Sequence, residues 1–393
     1  MGGSSVRLLI CAGGTGGGVY PALTVLQILL RKSELRNEVG SDMPLAVLWV
    51  GGIGGMEADL VKQASRLLNR DIPFRAIPTA GVHGVGWRKL PGNLARLSRG
   101  YFASRQVLRD FRPDILLFTG GYVAVPMALA GRGFFMKKIP SVLYVPDIEP
   151  GLALKVLGRY ADRIAATTED TCKYFAHQER VSVTGYPVRP ELLEWSREQA
   201  FYAFDLVQGR PVLLVLGGSS GAQSINRALF AALPGLLEDL QIIHISGERN
   251  WDEVEAVEKL LNPDIARHYH AYPYLHAEMG AALKAADLVV SRAGASCLGE
   301  YPSFGLPAIL APYPYAWRYQ QTNAEYLASR GAAVILADGD LMENLSRIVH
   351  DLIHDPGKLA SMQTAMLSLA HPDAAVRIAD LVNRTAMEDR SRA

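Results

Sequence analysis

The sequence predicts an α/β protein that contains two doubly wound domains. Its 393 residues exceed the roughly 100–200 residues that one hydrophobic core usually spans. Short apolar runs alternate with longer helical stretches along almost the whole chain, a pattern typical of βαβ units with a parallel sheet. A glycine-rich turn follows the first such run in each half. Hydrophobic residues at 49% and charged residues at 20% exclude a disordered chain.

The predicted strands form two series. Periodicity breaks at TGYPVRPE, residues 184–191, where one glycine and two prolines favour a hinge. We therefore expect an N-terminal domain over residues 1–188 and a C-terminal domain over residues 189–370, with a cleft between them. The apolar side of residues 371–393 predicts a last helix that packs back on the first domain. The predicted strands begin near Val6, Ala46, Asp114 and Ser141 in the first series and near Pro211, Gln241, Asp287, Ala308 and Ala333 in the second.

The first glycine-rich turn is AGGTGGGVYPAL, residues 12–23. Its glycines let backbone N–H groups approach a ligand closely, and the following helix, which Pro21 could start, favours phosphate at its N-terminus. The turn does not match the GxGxxG fingerprint of dinucleotide-binding proteins, because Val19 occupies the position of its last glycine. It does not match a P-loop either, because no Gly-Lys-Ser/Thr ending follows. The turn therefore contacts phosphate or diphosphate, or it is purely structural.

The second such turn is LGGSSGAQSIN, residues 216–226. Ser219 and the N–H groups around Gly218 and Gly221 suit phosphate or sugar oxygens, although Ser219 could instead cap the following helix. Arg189 lies just beyond the hinge, where a guanidinium could clamp a pyrophosphate.

A third segment, RAGASCLGEYPSFGLPAILAPYPYAWRYQQTNA over residues 292–324, surrounds one strand with a glycine-rich turn, a carboxylate and paired glutamines. Gly294 permits a tight turn into a helix, and we expect Glu300 about two helical turns in. A carboxylate together with the amides of Gln320 and Gln321 suits ribose hydroxyls and a nucleotide base. The segment therefore predicts a nucleotide site.

Metal and covalent chemistry have little support. Asp338-Gly339-Asp340 resembles a DxD metal motif, but it follows a predicted strand and is interpreted as a turn and helix cap. His268 and His270 lie on a predicted loop or edge strand without a third ligand nearby, so no metal site is predicted. No Cys–His pairing stands out, so covalent hydrolase chemistry has little support, and the three cysteines without a CxxC indicate a reducing compartment.

The charge and hydropathy of the chain limit the classes of partner that it can bind. A net charge of +1 gives no general attraction to nucleic acid, so none is predicted. No apolar run approaches the ~18–20 residues that a spanning helix needs, so we expect a cytosolic chain that at most rests on a membrane. Residues 81–113 hold seven Arg or Lys and one acid among aromatic and leucine residues. They form either a basic amphipathic segment on an anionic membrane surface or a solvated helix face.

Seven motifs occur in order over essentially the whole chain. They are GGTGG-VYPAL in the first turn, GGYVAVP at Gly120, TGYPVRPEL at Thr184, GGSSGAQSIN at Gly217, RAGAS-GE at Arg292, GLPAILAPYPYA at Gly305 and QQTNAEYL at Gln320. The set resembles the MurG family, the N-acetylglucosaminyltransferases that complete lipid II in peptidoglycan synthesis. The resemblance implies a GT-B architecture, two Rossmann-like domains facing a central cleft. It also implies an inverting, metal-independent transfer without a cofactor, from UDP-N-acetylglucosamine (UDP-GlcNAc) to undecaprenyl-pyrophosphoryl-MurNAc-pentapeptide (lipid I), at the cytoplasmic face of the membrane.

The resemblance also implies site residues. Glu300 would hold the donor ribose, and Gln320 with Gln321 the donor sugar. Arg189 and Ser219 would face the pyrophosphate, and the backbone at Leu275 the uracil. The remaining donor positions are Thr15, Gly16, Gly17, Asp147, Ala295, Ser296, Cys297, Leu298 and Gly299, and those at the acceptor diphosphate or the reaction centre are Gly14, Thr15, Gly16, Gly17, Tyr122 and Asp147.

Three positions depart from the family pattern. Gly18 replaces the histidine of the first loop, Ser220 replaces a glutamine, and the family's HEQN is replaced by a tetrapeptide that ends in Asp147. With the histidine absent, Asp147 is the expected general base, ahead of Glu149 and His83, and Thr15 is placed with it at the reaction centre. The alternatives are a related transferase with another lipid or metabolite acceptor, a silent sugar-nucleotide binding protein, or an active lineage in which Gly18 is an isolated change.

Overall fold

The structure is a computed structural model that describes residues 6–13, 16–38, 44–79, 90–132, 138–218, 221–315 and 319–391. The chain divides into two compact units. The N-terminal unit comprises Met1–Pro187 together with Pro372–Ala393, and the C-terminal unit comprises Val188–His371.

The N-terminal unit is built on a parallel sheet whose seven described strands run in the order β3-β2-β1-β4-β5-β6-β7. All residues of β4 and β5 are buried, as expected for strands of a parallel sheet that helices cover on both faces. The strands are β1 Val6–Cys11, β2 Leu45–Gly52, β3 Phe74–Ile77, β4 Ile115–Phe118, β5 Ser141–Val145, β6 Arg163–Ala166 and β7 Val181–Val183. The helices between them are α1 Gly16–Glu38, α2 Glu57–Leu67, α3 Leu90–Phe111, α4 Ala124–Gly131 and α5 Leu152–Gly158.

The C-terminal unit repeats this design with six described strands in the order β10-β9-β8-β11-β12-β13, all of them parallel. From β8 the strands are first added on one side as far as β10, and from β11 they are added on the other side as far as β13. This is the strand order of a Rossmann fold. The strands are β8 Val212–Leu216, β9 Gln241–Ile245, β10 Tyr269–Tyr272, β11 Leu288–Ser291, β12 Ala308–Leu310 and β13 Ala333–Ile335. The helices are α6 Arg197–Ala203, α7 Gln223–Asp239, α8 Trp251–Glu258, α9 Pro263–Ala266, α10 Met279–Ala285, α11 Glu300–Phe304, α12 Tyr319–Ser329, α13 Leu341–Ile353 and α14 Pro356–Leu367. The predicted fold class, two doubly wound α/β domains, is confirmed.

The last helix, α15 over Ala374–Arg390, belongs to the N-terminal unit, where it packs on α1. Its apolar side is buried, and Lys32 of α1 forms an ion pair with Asp380 at 2.5 Å. Arg163 of β6 binds Glu388 at 2.9 Å. These contacts hold α15, which is distant in sequence, against the sheet of the first unit. Within the described part of the chain, no helix is long and apolar enough to cross a bilayer.

A buried polar triad links α7 to two strands of the C-terminal unit. His244 of β9 is fully buried, and its ring nitrogens lie 2.7 Å from the Tyr269 hydroxyl and 3.1 Å from Asn226 Oδ1. Burial lowers the pKa of His244 from 6.5 to about 3, because the charged imidazolium would lose its hydration.

This lowered pKa predicts a loss of stability in acid. Above pH 6.5 the imidazole is neutral in both states, whereas below it the unfolded chain binds a proton that the folded chain does not, and the loss continues toward pH 3. Lowering the pH from 7 to about 5 should therefore cost roughly 2 kcal/mol of unfolding free energy from this residue. Urea denaturation at both pH values tests this. His244→Gln should reduce the pH dependence, and an equal pH dependence in both proteins would contradict the assignment.

Candidate functional site

The loop that follows β11 carries most of the predicted nucleotide residues. After Ser291 the backbone is extended at Gly294 (φ −69°, ψ 166°), and residues Ala295–Leu298 form a 3₁₀ turn. Glu300 is then the first residue of α11. The expected tight turn does begin at Gly294, whose carbonyl accepts the N–H of Cys297 at 3.0 Å, but the expectation of Glu300 two helical turns in was wrong. A continuous helix does not form because Gly299 (φ −132°, ψ −46°) separates the 3₁₀ turn from α11.

Glu300 is a half-buried carboxylate with a positive partner. Burial raises its pKa, and the charge of Arg189 and a hydrogen bond from Ser296 partly lower it again. Arg189 immediately precedes the 3₁₀ turn Pro190–Glu194 in the same unit. The structure thus brings together Glu300, Arg189 and Ser296, three residues that were predicted separately.

Arg292 joins the loops that follow four strands of the C-terminal sheet. Its Nη1 donates to the carbonyl of Ala311 at 2.9 Å and to Asp338 Oδ1 at 2.5 Å, and its Nη2 donates to Ser224 Oγ at 2.7 Å. Ser224 in turn donates to Asp338 Oδ1 at 2.7 Å. The network ties the start of α7 and the ends of β12 and β13 to the loop after β11. Neither Arg292 nor Ser224 had an individual role in the sequence interpretation.

The DGD segment was predicted as a turn and a helix cap, and only the turn is observed. Residues Asp338–Asp340 form a 3₁₀ turn, but Asp340, at the N-cap of α13, makes no side-chain cap bond. Asp338 is instead held in its ion pair with Arg292. Asp338, two positions before the N-cap residue Asp340, therefore braces the loop after β11.

Helix α12 presents the paired glutamines differently. Gln320 Oε1 accepts the backbone N–H of Tyr313 at 2.8 Å, so it faces the preceding loop. Gln321 donates to Glu325 at 2.9 Å along its own helix. The buried Asn323 Nδ2 donates to the carbonyl of Ala293 at 3.1 Å and fixes α12 to the loop after β11. Asn323 was not predicted as a site residue, although it lies three positions after Gln320 and therefore on the same side of a helix.

The glycine turn before α7 has a conformation that needs glycine. Gly218 and Gly221 have φ values of +82° and +74°, which side chains rarely adopt. Helix α7 begins at Gln223 with Ala222 at its N-cap, so the alternative of Ser219 as the helix cap is wrong. Ser219 and Ser220 themselves lie outside the described residues. Leu275, the predicted uracil contact, is buried just after β10.

The N-terminal unit places the first glycine turn beside the loop after β4. Helix α1 starts at Gly16, five positions before Pro21, so Gly16 and Gly17 contribute N–H groups to the first turn of a helix. Thr119 Oγ1 donates to the carbonyl of Gly18 at 2.6 Å. Tyr122, 46% exposed, lies just after that threonine. The predicted residues Gly14, Thr15 and His83 lie outside the described residues.

Asp147 lies after β5, the strand next to β4, and is partly buried. Burial raises the pKa of Tyr144, a hydrogen bond with Thr167 lowers it, and the charge of Asp147 raises it further. Glu149 instead accepts a hydrogen bond from Lys155 Nζ at 2.8 Å. Glu149 is therefore held in an ion pair.

One group of potential metal ligands lies elsewhere in the C-terminal unit. Asp239, His350 and His354 are exposed, and their ligand atoms are within 4.8 Å of one another. Exposed groups of this kind are common without a metal. His268 and His270 are on the edge strand β10, as predicted, or next to it.

Comparison with known proteins gives matches over both units. The Glycosyltransferase family 28 N-terminal domain matches residues 8–166, and the family's C-terminal domain matches residues 212–378. Two curated relatives are each named UDP-N-acetylglucosamine--N-acetylmuramyl-(pentapeptide) pyrophosphoryl-undecaprenol N-acetylglucosamine transferase. The one from Roseiflexus sp. (strain RS-1) is 39% identical over 96% of this chain and 94% of its own. The one from Listeria monocytogenes serovar 1/2a is 34% identical over 96% and 99%.

Solved structures share the fold. The crystal structure of Acinetobacter baumannii MurG has a TM-score of 0.71 and 24% identity over 96% of this chain and 99% of its own. The UDP-GlcNAc 2-epimerase from Neisseria meningitidis, bound to UDP-GlcNAc, has a TM-score of 0.69 and 14% identity over 96% and 100%. At these identities the likeness supports the architecture alone.

Proposed function

The chain belongs to the MurG family of glycosyltransferases, and from this membership we propose that it transfers N-acetylglucosamine from UDP-GlcNAc to lipid I. The product is lipid II, the precursor of peptidoglycan. The observation that carries this function is 39% identity to a curated transferase over 96% of the chain, because it spans both units. The enzyme is a UDP-GlcNAc-dependent hexosyltransferase of the cell-wall pathway.

On the donor side, Glu300 accepts hydrogen bonds from the ribose hydroxyls of UDP-GlcNAc. Its half-buried carboxylate beside Arg189 supports this role, since a desolvated acceptor discriminates well for hydroxyl donors. Arg189 and the N–H groups of the turn before α7 face the pyrophosphate. Gln320 lies where the loop before α12 meets the donor sugar. Arg292 holds these loops in place through Ser224 and Asp338.

Transfer proceeds by direct displacement. The acceptor hydroxyl attacks the anomeric carbon through an oxocarbenium-like state, and negative charge develops on the departing UDP. Arg189 and the N–H groups at the start of α7 stabilise that charge, so the leaving group needs no metal ion. The configuration at the anomeric carbon inverts because only one displacement occurs.

On the acceptor side, Gly16 and Gly17 direct backbone N–H groups to the lipid diphosphate, with Tyr122 on the neighbouring loop. Asp147 takes the proton of the attacking hydroxyl. Its place after β5 supports this role, because ligands bind doubly wound sheets at the carboxyl ends of their strands. Glu149 is held by Lys155.

The enzyme acts as a peripheral protein at the cytoplasmic face of the membrane. Helix α3 supports this placement, because Arg96 and Arg99 are exposed on it and Phe102 is 65% exposed. Cationic side chains beside an exposed aromatic ring suit an anionic lipid surface. The neighbouring basic residues 88 and 89 lie outside the described part of the chain.

The substitutions at Gly18 and around Asp147 specifically favour one rival, a transferase with another lipid acceptor. Release of UDP should be measured with lipid I, with other polyprenyl-diphosphate sugars and without acceptor. We expect release that depends on lipid I. Faster release with another lipid would favour the rival, and tight UDP-GlcNAc binding without release under any condition would indicate a silent binding protein.

A further inference from the structure

Two histidines and an aspartate lie together at the ends of α7 and α13, outside the site described above. Asp239 is the last residue of α7, His350 lies in the last turn of α13, and His354 is the C-cap residue of that helix. One ligand atom from each residue lies within 4.8 Å of the others. All three side chains are exposed, so an ion from solution can reach them.

A hydrogen bond within α13 distinguishes this group from an ordinary surface cluster. Nδ1 of His354 lies 2.9 Å from the carbonyl oxygen of His350, and because a carbonyl oxygen only accepts, Nδ1 carries the hydrogen. In the neutral ring the lone pair is then on Nε2, which lies 3.8 Å from Asp239 Oδ2. Histidines that bind metals typically have this arrangement, in which one ring nitrogen donates to a backbone carbonyl and the other binds the ion.

His350 supplies the third ligand from the same face of α13. It lies four positions before His354, and the two rings are stacked with their centroids 4.1 Å apart. Four ligands around a tetrahedral zinc ion are about 3.3–3.5 Å from one another. Side-chain rotations that move the ligand atoms by about 1 Å would bring the three residues to that geometry.

The backbone around this group is fixed, and its charge favours a cation. Leu237 and Leu352, close to the ligands in sequence, are buried in one hydrophobic core, so the ends of the two helices are held against each other. The C-terminus of a helix carries partial negative charge. Arg210 already donates to the carbonyl of Leu237 in the last turn of α7, which shows that this end attracts positive charge.

The group lies at the edge of the sheet opposite the predicted donor residues. Helix α7 follows β8 and the second glycine turn, and α13 follows β13, so both helices begin near the carboxyl ends of the strands and end at the other edge. With 17 residues, α7 separates its two ends by about 25 Å. An ion bound by Asp239 would therefore not contact the departing UDP.

We propose that Asp239, His350 and His354 bind one zinc ion, which cross-links the ends of α7 and α13. His354 binds it through Nε2, Asp239 through a carboxylate oxygen and His350 through a ring nitrogen, and water occupies the remaining position. Two imidazoles and a carboxylate suit zinc, whereas magnesium and calcium prefer oxygen ligands alone. The inference goes beyond the proposed function and does not depend on it, because neither the site nor its tests involve transfer.

The binding test is calorimetric titration of the metal-free, full-length protein with zinc at neutral pH. We expect one ion per chain, an affinity at least about tenfold lower in His350→Gln and in His354→Gln, and no competition from magnesium. His177→Gln is the matched control, because His177 is an exposed histidine 3.2 Å from a carboxylate oxygen of Glu179 in the other unit. This variant should bind zinc as the wild type does. Absence of saturable binding, or equal affinity in the wild type and both α13 variants, would overturn the proposal.

Thermal unfolding tests the cross-link between the two helices. Zinc at ten times its dissociation constant should raise the melting temperature of the wild type by about 2–4 °C, because it binds the folded state alone. The same zinc concentration should leave the melting temperature of His350→Gln unchanged. Without zinc the two proteins should melt at the same temperature, since the replaced side chain is exposed. An equal rise with zinc in both proteins would place the ion elsewhere and refute the site.

Discussion

Replacing Glu300 with alanine is expected to raise the KM for UDP-GlcNAc about 100-fold. Each hydrogen bond from a ribose hydroxyl to a carboxylate contributes roughly 1.5–3 kcal/mol, and two such bonds correspond to a factor of at least about 100. The variant also leaves the positive charge of Arg189 without this partner. Calorimetric titration with UDP should show the same loss, because the contact is to the nucleotide and not to the sugar.

Glu300→Gln and a pH series refine this test. Burial raises the pKa of Glu300, so UDP-GlcNAc binding should weaken as the pH falls through that raised value and the carboxylate becomes neutral. The glutamine variant should show weak binding without this pH dependence. Glu343→Gln, an exposed change in α13 of the same unit, is the control. Wild-type affinity for UDP in Glu300→Ala would remove the residue from the donor site.

Replacing Asp147 with asparagine is expected to lower kcat by about 100- to 1000-fold, the usual contribution of a general base. The side chain keeps its size but can no longer take the proton of the acceptor hydroxyl. The KM values for both substrates should change little, because the effect falls on the chemical step. Single-turnover measurement with saturating UDP-GlcNAc and lipid I isolates that step.

Glu149→Gln is the matched control for Asp147, two positions along the chain. Its carboxylate is bound to Lys155, so its loss should affect stability more than kcat. Full turnover by Asp147→Asn would show that another group accepts the proton. A large loss of kcat in Glu149→Gln alone would move the base to that residue.

The long buried strands could be predicted from sequence because their apolar runs are unbroken. Strand β1 and strand β8 each precede a glycine turn, which marks where the strand ends. The short edge strands of the N-terminal sheet could not be recognised, whereas the edge strand β13 of the other sheet was predicted near Ala333. Strand β3, with the sequence FRAI, buries only its last residue, and strand β7 has three residues, none of them fully buried. Their pairing depends on the neighbouring strand, which leaves no local pattern.

The proposed donor residues Glu300, Gln320 and Arg189 could be selected by sequence reasoning because they lie in motifs of fixed order. The contacts that brace them could not. Arg292 binds Asp338 across 46 positions, and Ser224 binds Asp338 across 114 positions. The sheet order brings these loops together, and residue spacing does not reveal it.

The most direct measurement is transfer of radiolabelled N-acetylglucosamine from UDP-GlcNAc to purified lipid I in detergent or vesicles. We predict that the label moves into a lipid product that migrates as lipid II, in the absence of added metal, and that the yield collapses with Glu300→Ala. Saturating binding of UDP-GlcNAc with no label in the lipid I product would contradict the proposed function.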